Sequence, residues 1–156
     1  MRDLQGWVRV LGFRFRGLGN KYFDMTDFKT LRVWEAFHQI TLRVYEMTKR
    51  FPSDELYGLT SQMRRSSASV ATNIAEGCGR HTDPDTARFL NIAMGSASEL
   101  EYQLLLSKDL NYINQTNYKA LEKDLITAKK MLNTFIQKVR TRSPSRYTNK
   151  KHTPTS

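Results

Sequence analysis

A chain of 156 residues with 39% hydrophobic and 26% charged side chains is long enough to bury a real core and has the balance of an ordinary globular domain, which argues against wholesale disorder. No run approaches the ~20 apolar residues of a membrane span. The formal charge of +10 invites a nucleic-acid reading, but residues 28–137 hold 14 basic and 12 acidic side chains, whereas residues 138–156 hold six basic and none acidic.

Most of the excess therefore lies in a C-terminal tail, where Lys138, Arg140, Arg142, Arg146, Lys150 and Lys151 are candidate contacts to a phosphate backbone. The alternative is a solvated end with no partner. Cys78 is the single cysteine, so no internal disulfide framework exists, and a plain buried thiol in a reducing compartment is expected. Arg9, Arg14 and Arg16 interrupt any apolar leader, and the expected location is cytoplasmic.

In chain order, residues 1–26 show no clean period. Gly6, Gly12, Gly17 and Gly19 interrupt Trp7, Val8, Leu11, Phe13 and Phe15, a density that disfavours a helix. A loosely attached arm, or an upstream extension with Met25 as the true start, is expected there. From Phe28 to Phe51, Leu31, Trp34, Phe37, Thr41, Val44, Tyr45 and Thr48 recur at three- and four-residue steps and predict an amphipathic helix that Pro52 stops. Ser53 or Asp54 is placed to cap a second helix carrying Leu56, Leu59, Met63, Val70 and Ile74 and ending at Gly77 or Gly79. Asp83-Pro84-Asp85 predicts the start of a third, with Asp83 at the cap, continuing through Phe89, Ile92, Ala93, Ala97, Leu100, Leu104 and Leu105 to about Asn111. Asn114 caps a fourth with Leu121, Leu125, Ala128, Leu132, Phe135, Ile136 and Val139, before Ser143-Pro144-Ser145. Four long helices with short connections form an all-α, antiparallel, up-down-up-down four-helix bundle over residues 27–140, followed by a disordered basic tail over 141–156.

Between Gly58 and Glu101 small and polar residues stand where leucines are usual. Ser66, Ser67, Ala68, Ser69 and Ala71 in the second helix and Ala93, Gly95, Ser96, Ala97 and Ser98 in the third predict close helix approach, with a backbone contact expected to offset the cost of Gly95. Arg64, Arg65, Asn73, Glu76, Arg88 and Glu99 are candidates for a polar network inside the bundle or at a subunit interface. A phosphate site from Arg64, Arg65 and Arg80 is the competing reading.

Catalytic motifs are incomplete. Glu35-Ala36-Phe37-His38 has the Glu-x-x-His spacing that di-iron bundles use twice, but it occurs once, and His81 and His152 fall in a loop and a tail. His38 is expected beside Trp34 on a helix edge. No phosphate-binding glycine loop, nucleophile elbow or paired-cysteine zinc spacing is present, so neither a cofactor nor an enzymatic reaction is expected.

Leu31-Arg32-Val33-Trp34, Phe51-Pro52, Tyr57-Gly58-Leu59-Thr60-Ser61-Gln62, Asn73-Ile74-Ala75-Glu76-Gly77, Arg88-Phe89-Leu90 and Gly95-Ser96 with Glu99-Leu100 together carry a resemblance. The chain resembles the four-helix-bundle proteins encoded in intervening sequences of bacterial 23S rRNA genes, which are similar to the accessory variability protein of diversity-generating retroelements. The match is close over about residues 28–113 and departs at Ala71, where the family usually carries proline. The resemblance implies a homo-oligomeric ring, commonly a pentamer, and, from the retroelement relative, binding to a reverse transcriptase and nucleic acid through a basic surface. Two functions follow as expectations: a non-enzymatic accessory protein that associates with RNA or a nucleic-acid enzyme, using the tail and a face with Arg64, Arg80 and Arg88, or a protein-only oligomeric scaffold.

Overall fold

A computed structural model describes residues 27–142. Helices α1 (Arg32–Thr48), α2 (Leu59–Cys78), α3 (Asp83–Asp109) and α4 (Gln115–Arg142) are joined by short connections, with 3-10 turns at Phe28–Thr30 and Ser53–Glu55. Helix α2 packs on α1 and α3, and α4 packs on α3 and α1, which closes an antiparallel bundle. The expectations for residues 1–26 and 143–156 lie outside the described residues; α4 itself continues to Arg142, past the predicted end at 140.

The core is a column of side chains with almost no exposed surface, including Phe37, Val44, Met63, Ile74, Leu90, Leu104, Leu125 and Leu132. All seven predicted positions of α4 are buried. On α1 the buried stripe is Val33, Phe37, Ile40, Val44 and Thr48. Tyr45, Leu56, Ile92 and Leu105, expected inside, are exposed. Tyr45 flanks the α1–α2 seam, where its ring lies 5.0 Å from the Arg64 guanidinium, so the helical period is right and the core direction is rotated.

Helix ends differ from expectation by a residue or two. Thr82, not Asp83, is the N-cap of α3; its side chain accepts from the Asp85 N–H at 3.3 Å, leaving Asp83 and Pro84 inside the first turn. Neither Ser53 nor Asp54 caps α2: the Glu55 carboxylate accepts from the Leu59 N–H at 2.8 Å. Helix α2 stops at Gly79 with φ −83°, so the glycine is not needed for a left-handed turn. Asn114 caps α4 as expected, accepting from the Asn117 N–H at 2.8 Å.

Asn111 supplies the left-handed residue after α3, with φ 60°. The Tyr112 N–H returns to the Ser107 carbonyl and the Asn111 N–H to that of Lys108, each at 2.9 Å, which satisfies two carbonyls of the last turn.

The close contact expected at Gly95 is made at Gly77 instead. A Cβ on Gly95 would meet nothing within 4 Å, so the predicted backbone contact there is absent. Gly77 makes it instead: a Cβ would lie 3.3 Å from the Phe89 Cβ and 3.4 Å from the Thr86 carbonyl oxygen. The Thr86 hydroxyl donates to the Gly77 carbonyl at 3.1 Å, a bond that needs the two backbones close.

Candidate nucleic-acid interface

Antiparallel order puts the start of α1, the end of α2, the start of α3 and the end of α4 at one end of the bundle. Arg32, Arg80, Arg88, Lys138, Arg140 and Arg142 therefore share it with the carboxylates of Glu35, Glu76, Asp83 and Asp85. The guanidinium groups of Arg80 and Arg88 lie 4.4 and 4.7 Å from the centre of the Phe89 ring, which organises two cations around one aromatic side chain. Arg80 also pairs with Glu76 one turn earlier. Arg140 Nη2 donates to Asn91 Oδ1 at 3.3 Å and ties α4 to α3. Partial burial, reinforced by Arg142, lowers the Lys138 pKa, as expected where cations crowd. Residues 143–156, with Arg146, Lys150 and Lys151, continue from this end.

The candidate polar network divides into separate groups. Arg64 turns toward α1, where its Nε donates to Thr48 Oγ1 at 2.8 Å. Glu76 and Arg88 are engaged near the basic end. Arg65 and Glu99 pair across α2 and α3 at 3.7 Å, both exposed, and such a pair contributes little to stability. Asn73 Nδ2 donates to the Ser69 carbonyl at 2.8 Å, while the Ser69 and Ser96 hydroxyls meet at 2.9 Å. The competing phosphate site is not assembled: Arg64 turns toward α1, Arg65 toward Glu99 on α3, and Arg80 lies past the end of α2, about four turns further on.

A seam of polar residues runs from this surface into the core. Glu99 accepts from Gln103 Nε2 at 3.1 Å, Gln103 Oε1 accepts from Ser66 Oγ at 2.6 Å, and the Ser107 hydroxyl donates to the Gln103 carbonyl at 2.8 Å. Among the described residues every buried side-chain nitrogen and oxygen has a partner. Gln103 and Ser107 are absent from the candidates drawn from the sequence; the signal for them is their place on the Leu100 and Leu104 stripe, and no pattern rule gives their partners.

His38 stacks on Trp34 with ring centres 4.9 Å apart and planes 8° from parallel. Among the described residues no group of three or more His, Cys, Asp or Glu side chains is placed to hold a metal ion, and no helix is long and apolar enough to cross a membrane. Burial pushes the Cys78 thiol up to about 11, which suppresses the reactive thiolate near neutral pH.

Fold and surface together define a small all-α bundle with a cation-rich end and a hydrogen-bonded polar seam. The sequence profile of the 23S rRNA-intervening sequence proteins matches residues 29–134, and the chain belongs to that family. Among solved structures it is similar to a protein of unknown function from the S23 ribosomal protein family of Bacteroides thetaiotaomicron, at 26% identity and a TM-score of 0.63, covering 67% of this chain and 98% of that one. No curated protein matches the sequence. Neither similarity names an enzymatic reaction.

Proposed function

We propose that this protein is a non-enzymatic accessory bundle that associates with RNA through its cation-rich end and the tail that follows. The observation that carries the reading is the convergence of Arg80, Arg88, Lys138, Arg140 and Arg142 on the end from which residues 143–156 depart. Such an array attracts phosphate by counterion release and reads little sequence. A self-associating form, a ring of five copies, would repeat the patch and add avidity. A nucleic-acid enzyme such as a reverse transcriptase, carrying bound RNA, is the protein partner this surface suits.

The test is binding of a structured RNA across a salt series by the full chain, by a chain ending at Arg142, and by Arg80→Ala/Arg140→Ala. The full chain should lose affinity steeply with salt, and each phosphate-contacting cation removed should lower the log–log slope by about 0.9 for duplex regions. Absence of binding near physiological salt rejects this reading. It would leave the protein-only scaffold, which the exposed Ile92 and Tyr102 on the outer face of α3 favour.

A further inference from the structure

At the opposite end of the bundle, the last two turns of α1, the α3–α4 connection and the start of α4 enclose a cleft of about 430 Å³. That volume lies within the range of small-molecule sites. Met47, Ile113 and Leu121 give it an apolar floor, and the Tyr112 ring forms one wall. The wall is fixed from behind: Tyr112 packs on Phe51 with ring centres 5.3 Å apart, and its hydroxyl donates to Glu55 Oε1 at 3.1 Å.

Charge on the rim is arranged asymmetrically. Arg43 is held by Asp124, and Glu46, the acidic lining residue, is neutralised by Lys49 at 2.6 Å. The Arg50 guanidinium forms no hydrogen bond or ion pair with a described residue, although its charge helps Lys49 lower the pKa of Glu46, and Asn114 Nδ2 and the Asn117 side-chain amide are without a hydrogen-bond partner. An apolar and aromatic floor, an available guanidinium and two carboxamides that can donate and accept together match a planar heterocycle bearing an anionic group.

We propose that this cleft binds a nucleoside 5′-monophosphate unit, with the base against Met47 and Tyr112, its edge on Asn114 and Asn117, and its phosphate on Arg50. The unit is supplied either by a free nucleotide or by an unpaired nucleotide of a single strand. The chemistry is shared, and the site stands independently of the RNA reading for the other end.

The experiment is calorimetric titration of the full chain with AMP, GMP, CMP and UMP, with inorganic phosphate and nucleosides as controls, repeated with Arg50→Ala, Asn117→Ala and Lys130→Ala. At least one nucleotide should bind measurably, more tightly than phosphate or its nucleoside. Arg50→Ala should weaken it tenfold or more and Asn117→Ala should change the preference among bases. Lys130→Ala, an exposed position outside both the cleft and the basic end, should leave it unaltered. A short single-stranded oligonucleotide that displaces the nucleotide in an Arg50-dependent way assigns the source as a strand; failure to displace it assigns a free nucleotide. No binding of any nucleotide at millimolar concentration, equal binding of inorganic phosphate, or indifference to Arg50→Ala overturns the proposal.

Discussion

Ser66 and Gln103 share a 2.6 Å hydrogen bond between α2 and α3 in a region from which water is excluded. Removing Ser66 leaves Gln103 Oε1 buried without a donor, whereas Ser66 itself has the Met63 carbonyl at 3.2 Å as a second acceptor. Ser66→Ala should therefore cost about 1–3 kcal/mol, while Ser66→Ala combined with Gln103→Leu should recover much of that loss. Urea unfolding of the two single variants and the double variant measures the coupling; strictly additive losses would show that the two side chains do not act together.

Gly77 and Gly95 should respond to alanine with opposite signs. Both lie inside helices, where alanine is favoured over glycine by about 1 kcal/mol. At Gly95 nothing opposes that gain, so Gly95→Ala should stabilise by about this amount. At Gly77 the new methyl meets the Phe89 Cβ and the Thr86 carbonyl, neither of which moves without shifting α3, and a net loss of about 1–3 kcal/mol is expected. Thermal unfolding of the pair decides it.

Asn111 holds φ 60° as the residue that turns the chain out of α3. Asn111→Gly should preserve stability, whereas Asn111→Val should lose about 1–2 kcal/mol, since a β-branched side chain is strained in the left-handed region. Equal melting temperatures for the two variants would contradict this geometry.

Cys78 gives the fold an alkaline limit. Burial raises its thiol from 9.0 to about 11, so the folded form holds the proton more tightly than the unfolded form. The associated stability is intact below pH 9 and declines by about 1.4 kcal/mol per pH unit toward pH 11. Cys78→Ala should flatten the profile between pH 9 and 10, below the range in which Tyr118, its hydroxyl raised to about 12 by the bond to Glu122, adds a loss of the same sign. At pH 8 a thiol reagent should modify the native protein only as fast as it opens.

The sequence discloses the helices more fully than the contacts between them. In α4 the apolar period and the cap at Asn114 point the same way, and both are realised. In α1 the period fits two directions: Trp34 and Tyr45 follow it as well as Val33 and Ile40 do. Packing chose the aliphatic set, leaving the aromatics to stack with His38 and Arg64 at the edge. Polar pairing was least legible, because each charged residue has local and long-range candidates. Glu76 took Arg80 just past the end of its own helix, while Glu99 reached Arg65 across the seam. The cleft near Tyr112 had no linear signature, since its lining is drawn from segments about 65 residues apart in sequence and depends on the turn at Asn111.

The adjacency of the first turn of α1 to the last turns of α4, where Leu31, Arg32 and Val33 line a groove with Met131, Phe135 and Lys138, has an engineering consequence. Because helix entry and exit are neighbours, the start of α1 and the end of α4 suit joining by a polar linker, with the chain reopened between α2 and α3. The permuted protein would keep every interhelical contact and present both its new ends beside Phe89. Its Tyr112 cleft, on the far side, would be undisturbed, so the two surfaces could be assayed separately in one molecule.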